Sequence, residues 1–454
     1  MLTASAQPAS LHRNRHRLRL AAFGLWMLVG TLGVGLHLSG SAASPFARLP
    51  GDDLIPSYMA GTFVRQGRPD LLMDYPAAER FQADLRRANG LEQHGRTGPW
   101  LNPPFYAWVF VPLSAMPYPL ALAAWAAVNL GLLAASVAML HRMLPADRRR
   151  QGDAMLVGGL LVISFPGIQV LACQQNTFLS LCILCGTVTL WRGGRATAAG
   201  AVAGLLCFKP QLAAIVWLAL ACSLRWRAVA GIALSAGLLV GASLVAMPGA
   251  WADYLTKLPT LIPSLRTDRP YFWERQVTFV GFWRLLLLGR AGGPNPLLVT
   301  ALWAAGAAVI GALLATPAWR AVRGRLSGIG RDRWIAATVA ASPLLMPYYM
   351  DYDLLLLAVP VTLLAAERMA GGRADTRWLV AGWAATYGCL YLNATVGVET
   401  YVSVTVPAVA VLAGCTAWRA GRAVDAVEPM DGSGRQDVDP AVSADSKLPR
   451  RAAA

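Results

Sequence analysis

The chain has 454 residues, of which 56% are hydrophobic and only 14% are charged, whereas an ordinary soluble domain carries about a quarter charged residues. This composition excludes a soluble fold and favours an all-α protein in a membrane, because each spanning helix needs roughly 20 mostly apolar residues. The net charge of +16 could indicate nucleic-acid binding, but the Lys and Arg residues lie in short loops between apolar segments, so we expect no nucleic-acid partner.

The N-terminus carries a basic segment, residues 1–19, ahead of an apolar stretch at 20–38. Its charge is typical of a signal peptide, but the apolar stretch is too long and no small-residue cleavage site follows it. We therefore predict a retained first span with residues 1–19 in the cytoplasm. Residues 39–117 then form an outer loop, whose proline-bounded apolar segment at 102–116 is predicted as a re-entrant or interfacial helix.

Further apolar segments predict spans separated by short basic turns. They lie at 120–140, 155–171, 178–190, 198–207, 212–224, 229–247, 297–315, 334–346, 354–366, 378–392 and 402–418. Together with the first span they give about twelve crossings of one transmembrane domain, residues 20–419, with both termini in the cytoplasm. A second outer loop covers 252–296. Residues 420–454, rich in Asp, Ser, Gly, Pro and Ala, predict a disordered cytoplasmic tail.

Two pairs of predicted helices meet at polar residues. One meeting point holds Gln175 and Asn176, and the other holds Lys209 and Pro210. Non-helical backbone inside a bilayer is tolerated only where it lines protein or water. These helices are therefore predicted to stop below the outer surface, around a polar cavity.

Ionisable residues collect on the predicted outer face. They are Asp53, Lys209, Arg266, Arg275, Asp351 and Asp353. Charges at a membrane edge are costly, so they indicate function by default. A carboxylate can take a proton from an acceptor hydroxyl, and cations can stabilise a departing phosphate. This combination favours an enzyme that transfers a sugar from a lipid phosphate.

Several motifs occur in order along the chain. The stretch at 52–76 reads DDLIPSYMAGTFVRQGRPDLLMDYP, and later motifs are CQQN at 173–176, FKPQ at 208–211 and SPLLMPYYMDYDL at 342–354. Their order resembles that of glycosyltransferase family 87, a group of bacterial mannosyltransferase-like membrane proteins of the GT-C type that use polyprenyl-phosphate donors. The resemblance covers most of residues 52–366.

What the resemblance implies is a GT-C-like helix bundle that transfers a hexose, such as mannose, with inversion. The donor is a polyprenyl-phosphate sugar, the acceptor is a lipid or a glycan, and the site faces outward from a bacterial cytoplasmic membrane. Asp53 matches the catalytic base, with Asp52 as the alternative. The implied substrate-binding residues are Tyr58, Gln175, Asn176, Lys209, Gln211, Arg266, Arg275, Tyr348, Asp351 and Asp353. No cofactor is implied, and metal dependence stays open because Asp52 and Asp53 would hold an ion only weakly.

The chain departs from the family pattern at two motifs. Cys173 or Gln174 stands where a glycine is usual, and the late motif ends in Tyr352 and Asp353 without the histidine of some mannosyl members. Both departures leave the sugar and the acceptor open.

Structural roles are the alternative for the individual residues. Asp53 would then be a helix cap, Lys209 would extend to the interface, and Asp351 and Asp353 would pair with a neighbouring arginine. For the whole protein the alternatives are a transporter or lipid-sugar flippase, and an oligosaccharide ligase or polymerase of similar architecture. Transporters often contain two related halves, and we find no internal repeat in the sequence, which favours the enzyme.

Overall fold

The computed structural model describes residues 51–91, 97–147, 149, 151–267, 271–326, 328–371 and 374–422. Every regular element among them is a helix, apart from one isolated bridge between Gln276 and Met350. The predicted all-α fold is therefore confirmed for this part of the chain. The predicted segments at 1–19 and 20–38, and the tail from residue 423, lie outside the described residues.

The segment predicted as the first outer loop is largely helical. It contains α1 (Ile55–Arg65), a 3-10 turn (Pro69–Met73), α2 (Tyr75–Ala88), a second 3-10 turn (Pro104–Phe110) and α3 (Val111–Ser114). The Asp74 side chain caps α2 by accepting a hydrogen bond from the Ala77 N–H at 2.9 Å. Gly61 lets α1 pack directly on the second 3-10 turn, because a Cβ there would lie 2.4 Å from the Phe110 carbonyl oxygen.

The longer helices follow in two groups. The first group is α4 (Tyr118–Met143), α5 (Gln151–Ile163), α6 (Phe165–Cys173), α7 (Thr177–Arg192), α8 (Ala196–Gly204), a 3-10 turn (Leu205–Phe208) and α9 (Pro210–Ala246). The second is α10 (Pro248–Thr267), a 3-10 turn (Trp273–Arg275), α11 (Phe279–Leu288), α12 (Leu297–Val322), α13 (Gly328–Leu345), a 3-10 turn (Asp351–Leu357), α14 (Ala358–Met369), α15 (Ala374–Thr400) and α16 (Thr405–Gly421). The predicted second outer loop at 252–296 therefore contains most of α10 and all of α11.

Helix α13 lies in the centre of the bundle. Its alanines Ala336, Ala337, Ala340 and Ala341 are fully buried, and the helix packs against α12, α14 and α16. Small residues allow helix backbones to approach closely, which is the usual basis of helix packing in lipid. The 3-10 turn at Asp351–Leu357, which follows α13 closely, is buried along its whole length.

Three helices, α4, α9 and α12, are long and apolar enough to cross a bilayer, and the bent pair of α5 and α6 makes a fourth if it counts as one span. The other described helices fall short in length or in hydropathy. A membrane-embedded helical protein is thus confirmed, whereas the twelve crossings stay a prediction.

The segment predicted as one span at 155–171 is broken at Ser164. Helices α5 and α6 meet there at an angle of 68°. The Ser164 side chain starts a new helix by accepting a hydrogen bond from the Gly167 N–H at 3.1 Å. A Cβ on Gly167 would lie 1.9 Å from the Leu161 carbonyl oxygen, so the bend depends on glycine. The predicted span at 155–171 therefore corresponds to a bent pair of helices.

Helix α9 breaks at Arg225, where φ is 54°. Both of its halves pack on α8: Trp217 donates a hydrogen bond to the Ala203 carbonyl at 2.8 Å, and Gly231 touches the Thr197 carbonyl. In a straight helix, Trp217 and Gly231 would lie about 21 Å apart along the axis. Their partners in α8, Ala203 and Thr197, lie only about 9 Å apart along the axis of that helix. The chain therefore changes direction at Arg225, as predicted for the turn between the segments at 212–224 and 229–247.

Candidate active site

Tyr352 lies at the centre of a buried polar cluster in the 3-10 turn that follows α13. The centre of its ring is 5.3 Å from the Lys209 Nζ and 5.7 Å from the Arg275 Cζ. Burial raises the pKa of the Tyr352 hydroxyl, and the charges of Asp353 and Asp53 act in the same direction. Tyr352 thus lies close to two cations and to two carboxylates.

Lys209 and Asp353 form a buried ion pair. The Lys209 Nζ donates to the Asp353 Oδ1 at 2.9 Å, and the two side chains are 8% and 1% exposed. The Thr177 hydroxyl donates to the same oxygen at 3.1 Å. Pro210 sets the position of Lys209, because proline suits the first position of a helix and the chain turns into α9 there. An ammonium group has three donors, and Asp353 is the one acceptor of Lys209 within the described part of the chain.

Arg275 and Asp351 form a second buried pair with two hydrogen bonds. The Arg275 Nε and Nη2 donate to the two carboxylate oxygens of Asp351 at 2.9 and 2.8 Å. Burial lowers the pKa of the Arg275 guanidinium, but the Asp351 carboxylate raises it above its ordinary value. The Arg275 Nη1 is buried and has no hydrogen-bond partner among the described residues. It is a donor available to an anion.

The backbone fixes Arg275 against the turn that carries Asp351. The Val277 N–H donates to the Tyr349 carbonyl at 2.9 Å, and Gln276 pairs with Met350 as the isolated bridge. The Gln276 Oε1 also accepts from the Tyr349 N–H at 3.3 Å. Segments more than 70 residues apart are therefore held in register beside the ion pair.

Asp53 lies two residues before the start of α1 and close enough to Tyr352 for its charge to act on the hydroxyl. Its N–H donates to the Cys173 carbonyl at 3.1 Å, at the end of α6. Asp53 is half-buried, and its charge contributes to the raised pKa of Tyr352. Asp52 differs, because it pairs with Arg86 of α2 at 3.5 Å. Of the two adjacent carboxylates, Asp53 is thus the one whose charge acts on Tyr352, whereas the charge of Asp52 acts on Tyr118.

Two of the predicted binding residues lie where α6 meets α7. Asn176 is the residue before α7, next to Thr177, and the Gln175 side chain accepts a hydrogen bond from the Asn176 N–H at 3.3 Å. The Asn176 Oδ1 is buried and has no partner among the described residues. Burial raises the pKa of the Tyr106 hydroxyl, and the Asn176 amide opposes that rise. Asn176 and Tyr106 are therefore neighbours beside the Thr177–Asp353 contact.

The remaining predicted residues lie in different surroundings. The Tyr58 hydroxyl donates to the Met116 carbonyl at 2.7 Å and so ties α1 to the chain after α3. Gln211 is half-buried in the first turn of α9. Tyr348 is close enough to Tyr352 to raise its pKa. Arg266 is in the last turn of α10, and its side chain lies outside the described residues. Substrate contacts of these four residues stay predictions.

The sequence analysis missed Tyr352, Thr177 and the carbonyl of Cys173 as members of the cluster. Tyr352 was noted only for the absence of a histidine at the end of its motif. Its position in the sequence between Asp351 and Asp353, both of which were predicted to bind substrate, was an available signal that Tyr352 lies at the same site. Nothing in the local sequence indicated Thr177.

The cluster joins one half-buried carboxylate to two buried cations that each have a carboxylate partner. Such a site can accept a proton at Asp53 and donate hydrogen bonds to an anion from Lys209 and Arg275. No three His, Cys, Asp or Glu side chains come together as a metal-binding group in the described ranges.

The model of glycosyltransferase family 87 matches residues 100–347, more than half of the chain. The matched range includes Asn176, Lys209 and Arg275. Asp53 precedes it, and Asp353 follows it. No curated protein and no solved structure matches the chain.

Proposed function

The chain belongs to glycosyltransferase family 87, and on that basis we propose that it transfers a hexose from a polyprenyl-phosphate sugar to a lipid or glycan acceptor. The family membership makes it a membrane glycosyltransferase. The observation that carries the finer proposal is the cluster of Asp53, Lys209 and Arg275 around Tyr352. It combines a proton acceptor with cations suited to a phosphate leaving group.

The two cations would bind the phosphate of the donor. The Nε and Nη2 atoms of Arg275 donate to Asp351, which leaves the Nη1 as the donor for a phosphate oxygen. Lys209 uses one N–H for Asp353 at 2.9 Å, which leaves its other donors for phosphate oxygens. Donors that are fixed before the reaction stabilise developing negative charge most effectively, because no reorganisation is needed during the step.

Asp53 would act as the general base. It accepts the proton of the acceptor hydroxyl as that oxygen forms a bond to the anomeric carbon of the sugar. The bond between the anomeric carbon and the phosphate oxygen breaks on the opposite face, and its electron pair stays on the lipid phosphate. The sugar is transferred with inversion, and the chain itself forms no covalent intermediate. No cofactor enters this scheme.

We place the site on the outer face of a bacterial cytoplasmic membrane, in a domain of twelve crossings. The basic turns between the apolar segments support this orientation, because such turns stay in the cytoplasm. A reporter inserted at Gly95 tests it, since that residue belongs to the predicted first outer loop. Cytoplasmic activity of the reporter would contradict the orientation.

The proposed reaction is tested with purified protein in detergent, labelled polyprenyl-phosphate sugars and detection of released polyprenyl phosphate. We expect Asp53→Asn to abolish release while the protein still folds. Asp52→Asn is the matched control, because it makes the same change one residue away at a carboxylate that pairs with Arg86. It should retain most of the activity. Full turnover by Asp53→Asn would remove Asp53 from the role of base.

The same preparation distinguishes the alternative functions. In sealed vesicles, a flippase would move the labelled lipid across the bilayer without releasing polyprenyl phosphate. A ligase or polymerase would consume only oligosaccharide donors linked to lipid through pyrophosphate. Either result would replace the proposed reaction.

A further inference from the structure

A cavity with charged residues in its lining, which the proposed reaction does not use, lies where several helices end. Its volume is about 300 Å³, and it is bounded by the ends of α4, α7 and α14 and by the start of α13. We propose that this cavity binds a phosphate group, supplied by the headgroup of an anionic phospholipid. The size is within the range of small-molecule sites.

The cavity contains more positive than negative charge. Its charged lining residues are Arg142, Arg192, Arg331, Arg333, Asp332 and Glu367, so arginines outnumber carboxylates by two. Arg192 pairs with Asp332 at 3.0 Å, and Arg333 pairs with Glu367 at 2.7 Å. Glu367 also accepts from Arg419, at 2.6 Å. Both carboxylates of the cavity are therefore already paired with arginines, and neither of them pairs with Arg142.

Arg142 supplies a cation that is not neutralised within the described part of the chain, where it forms no ion pair. It is exposed at the end of α4. The Arg192 Nε is also buried without a hydrogen-bond partner among the described residues. Guanidinium groups bind phosphate oxygens through charge-assisted hydrogen bonds. The cavity thus offers donors to an anion without breaking the existing pairs.

The start of α13 adds to the attraction. Helix α13 begins at Gly328, which lines the cavity together with Ile329 and Arg331. The first N–H groups of a helix point outward along its axis and carry partial positive charge. Phosphate is favoured at such a position, and here the arginines reinforce it.

The cavity is separate from the candidate active site. Helix α7 begins at Thr177, beside Asp353, and ends at Arg192 in the cavity. Its 16 residues correspond to a length of about 24 Å. Helix α13 connects the same two places, because it starts in the cavity and ends just before Tyr348. The two sites therefore lie at opposite ends of the bundle.

A lipid headgroup fits this end of the bundle better than a free ion. The rest of the lining is apolar, and includes Met143, Leu363 and Leu364. These residues suit the glycerol and first methylene groups of a lipid, whereas a free phosphate ion would gain nothing from them. Basic pockets between helices of membrane proteins commonly hold anionic headgroups.

The test uses the full chain purified in a neutral detergent. Dioctanoyl phosphatidylglycerol, dioctanoyl phosphatidylcholine and inorganic phosphate are added in separate titrations. Thermal unfolding measures stabilisation, and native mass spectrometry counts bound lipid. We expect phosphatidylglycerol to raise the unfolding temperature and to bind with one molecule per chain, because a ligand of the folded state stabilises it. Phosphatidylcholine should have little effect.

Two variants make the same change of charge at different places. Arg142→Gln removes the exposed arginine of the cavity and should weaken phosphatidylglycerol binding about tenfold or more. Arg325→Gln removes an exposed arginine that does not line the cavity, and should change binding less than twofold. Equal effects of the two variants, or equal stabilisation by the two lipids, would overturn the proposal. Stabilisation by inorganic phosphate alone, lost in Arg142→Gln, would support the phosphate site and identify the free ion as its occupant.

Discussion

The buried pair of Lys209 and Asp353 makes a strong quantitative prediction. Lys209→Met and Asp353→Asn each remove one charge and leave the other without its partner. At 2.9 Å, the direct attraction between the charges is about 6 kcal/mol for an effective dielectric constant of about 20. Removal of the two charges from water opposes this attraction by several kcal/mol per ion. We therefore expect each single substitution to reduce the free energy of unfolding by about 3–5 kcal/mol.

The double variant separates the pair from other effects of the substitutions. Once both charges are gone, neither remains buried without a partner. We expect its loss of stability to fall short of the sum of the single losses by at least about 2 kcal/mol, a coupling typical of groups in direct contact. Unfolding of the purified protein in mixed micelles with increasing denaturing detergent measures all four free energies.

A surface pair provides the control. Lys257 and Asp253 lie 3.0 Å apart in α10 but are 48% and 32% exposed. The cycle of Lys257→Met and Asp253→Asn should give a coupling below about 0.5 kcal/mol. If the coupling between Lys209→Met and Asp353→Asn were also below about 0.5 kcal/mol, the two side chains would not form the buried ion pair described above.

The same variants separate a role in folding from a role in catalysis. If Lys209 also binds the donor phosphate, the double variant regains stability but not activity. Its polyprenyl-phosphate release should therefore stay as low as that of Lys209→Met. Recovery of both properties together would restrict Lys209 to a structural role.

Three further predictions follow from other contacts. Arg275→Lys removes one hydrogen bond to Asp351 and the available Nη1 donor, so kcat should fall about 10²–10³-fold. A fall of less than tenfold would contradict phosphate binding by Arg275. Gly167→Ala should reduce the free energy of unfolding by about 1–3 kcal/mol, because the added methyl group would clash with a backbone carbonyl. The control Gly158→Ala, where the nearest atom would lie at 3.5 Å, should be neutral or slightly stabilising. Equal melting temperatures of the two variants would refute the tight bend. Burial raises the pKa of Glu367, but its two arginine partners lower it overall, so its stabilisation is complete above about pH 4.3 and is lost as the pH falls through the lowered value. Glu367→Gln should therefore melt below the parent protein at pH 7 and converge with it as the pH falls through the lowered pKa of Glu367. A difference independent of pH would contradict this assignment.

Local sequence signals predicted the helix ends that form the site. Pro210 indicated the start of α9, and the polar pair at Gln175 and Asn176 indicated the start of α7. Both signals act over a few residues. The N–H that Pro210 lacks is one that the first turn of a helix leaves unpaired in any case, and Asn176 occupies the cap position of α7 without a side-chain capping bond. Lys209 was accordingly placed at a helix break, where the structure has it.

The pairing of the charges was beyond the sequence. Lys209 contacts Asp353 across 144 positions, and Arg275 contacts Asp351 across 76. The two carboxylates are two residues apart, so no local pattern determines which one faces which cation. The backbone contacts between Gln276 and Met350 decide it, and they depend on tertiary packing.

The bend within the predicted span at 155–171 was beyond the sequence for a different reason. Hydropathy measures apolar length, but it does not detect where an apolar segment bends. Ser164 and Gly167 divide one predicted span by a cap and a close contact, and both residues are compatible with an apolar stretch. Helix α8 has only nine residues before its 3-10 turn, although its composition is that of a span.

The cluster around Tyr352 is assembled from segments that lie 300 positions apart in the chain, from Asp53 to Asp353. During synthesis, Lys209 enters the membrane long before its carboxylate leaves the ribosome. Until then its ammonium group has to stay near water or accept a temporary neighbour. Helices α7, α8 and α9 are therefore synthesised before the ion pair at 2.9 Å can form, and only the later segment with Asp353 completes their polar contacts.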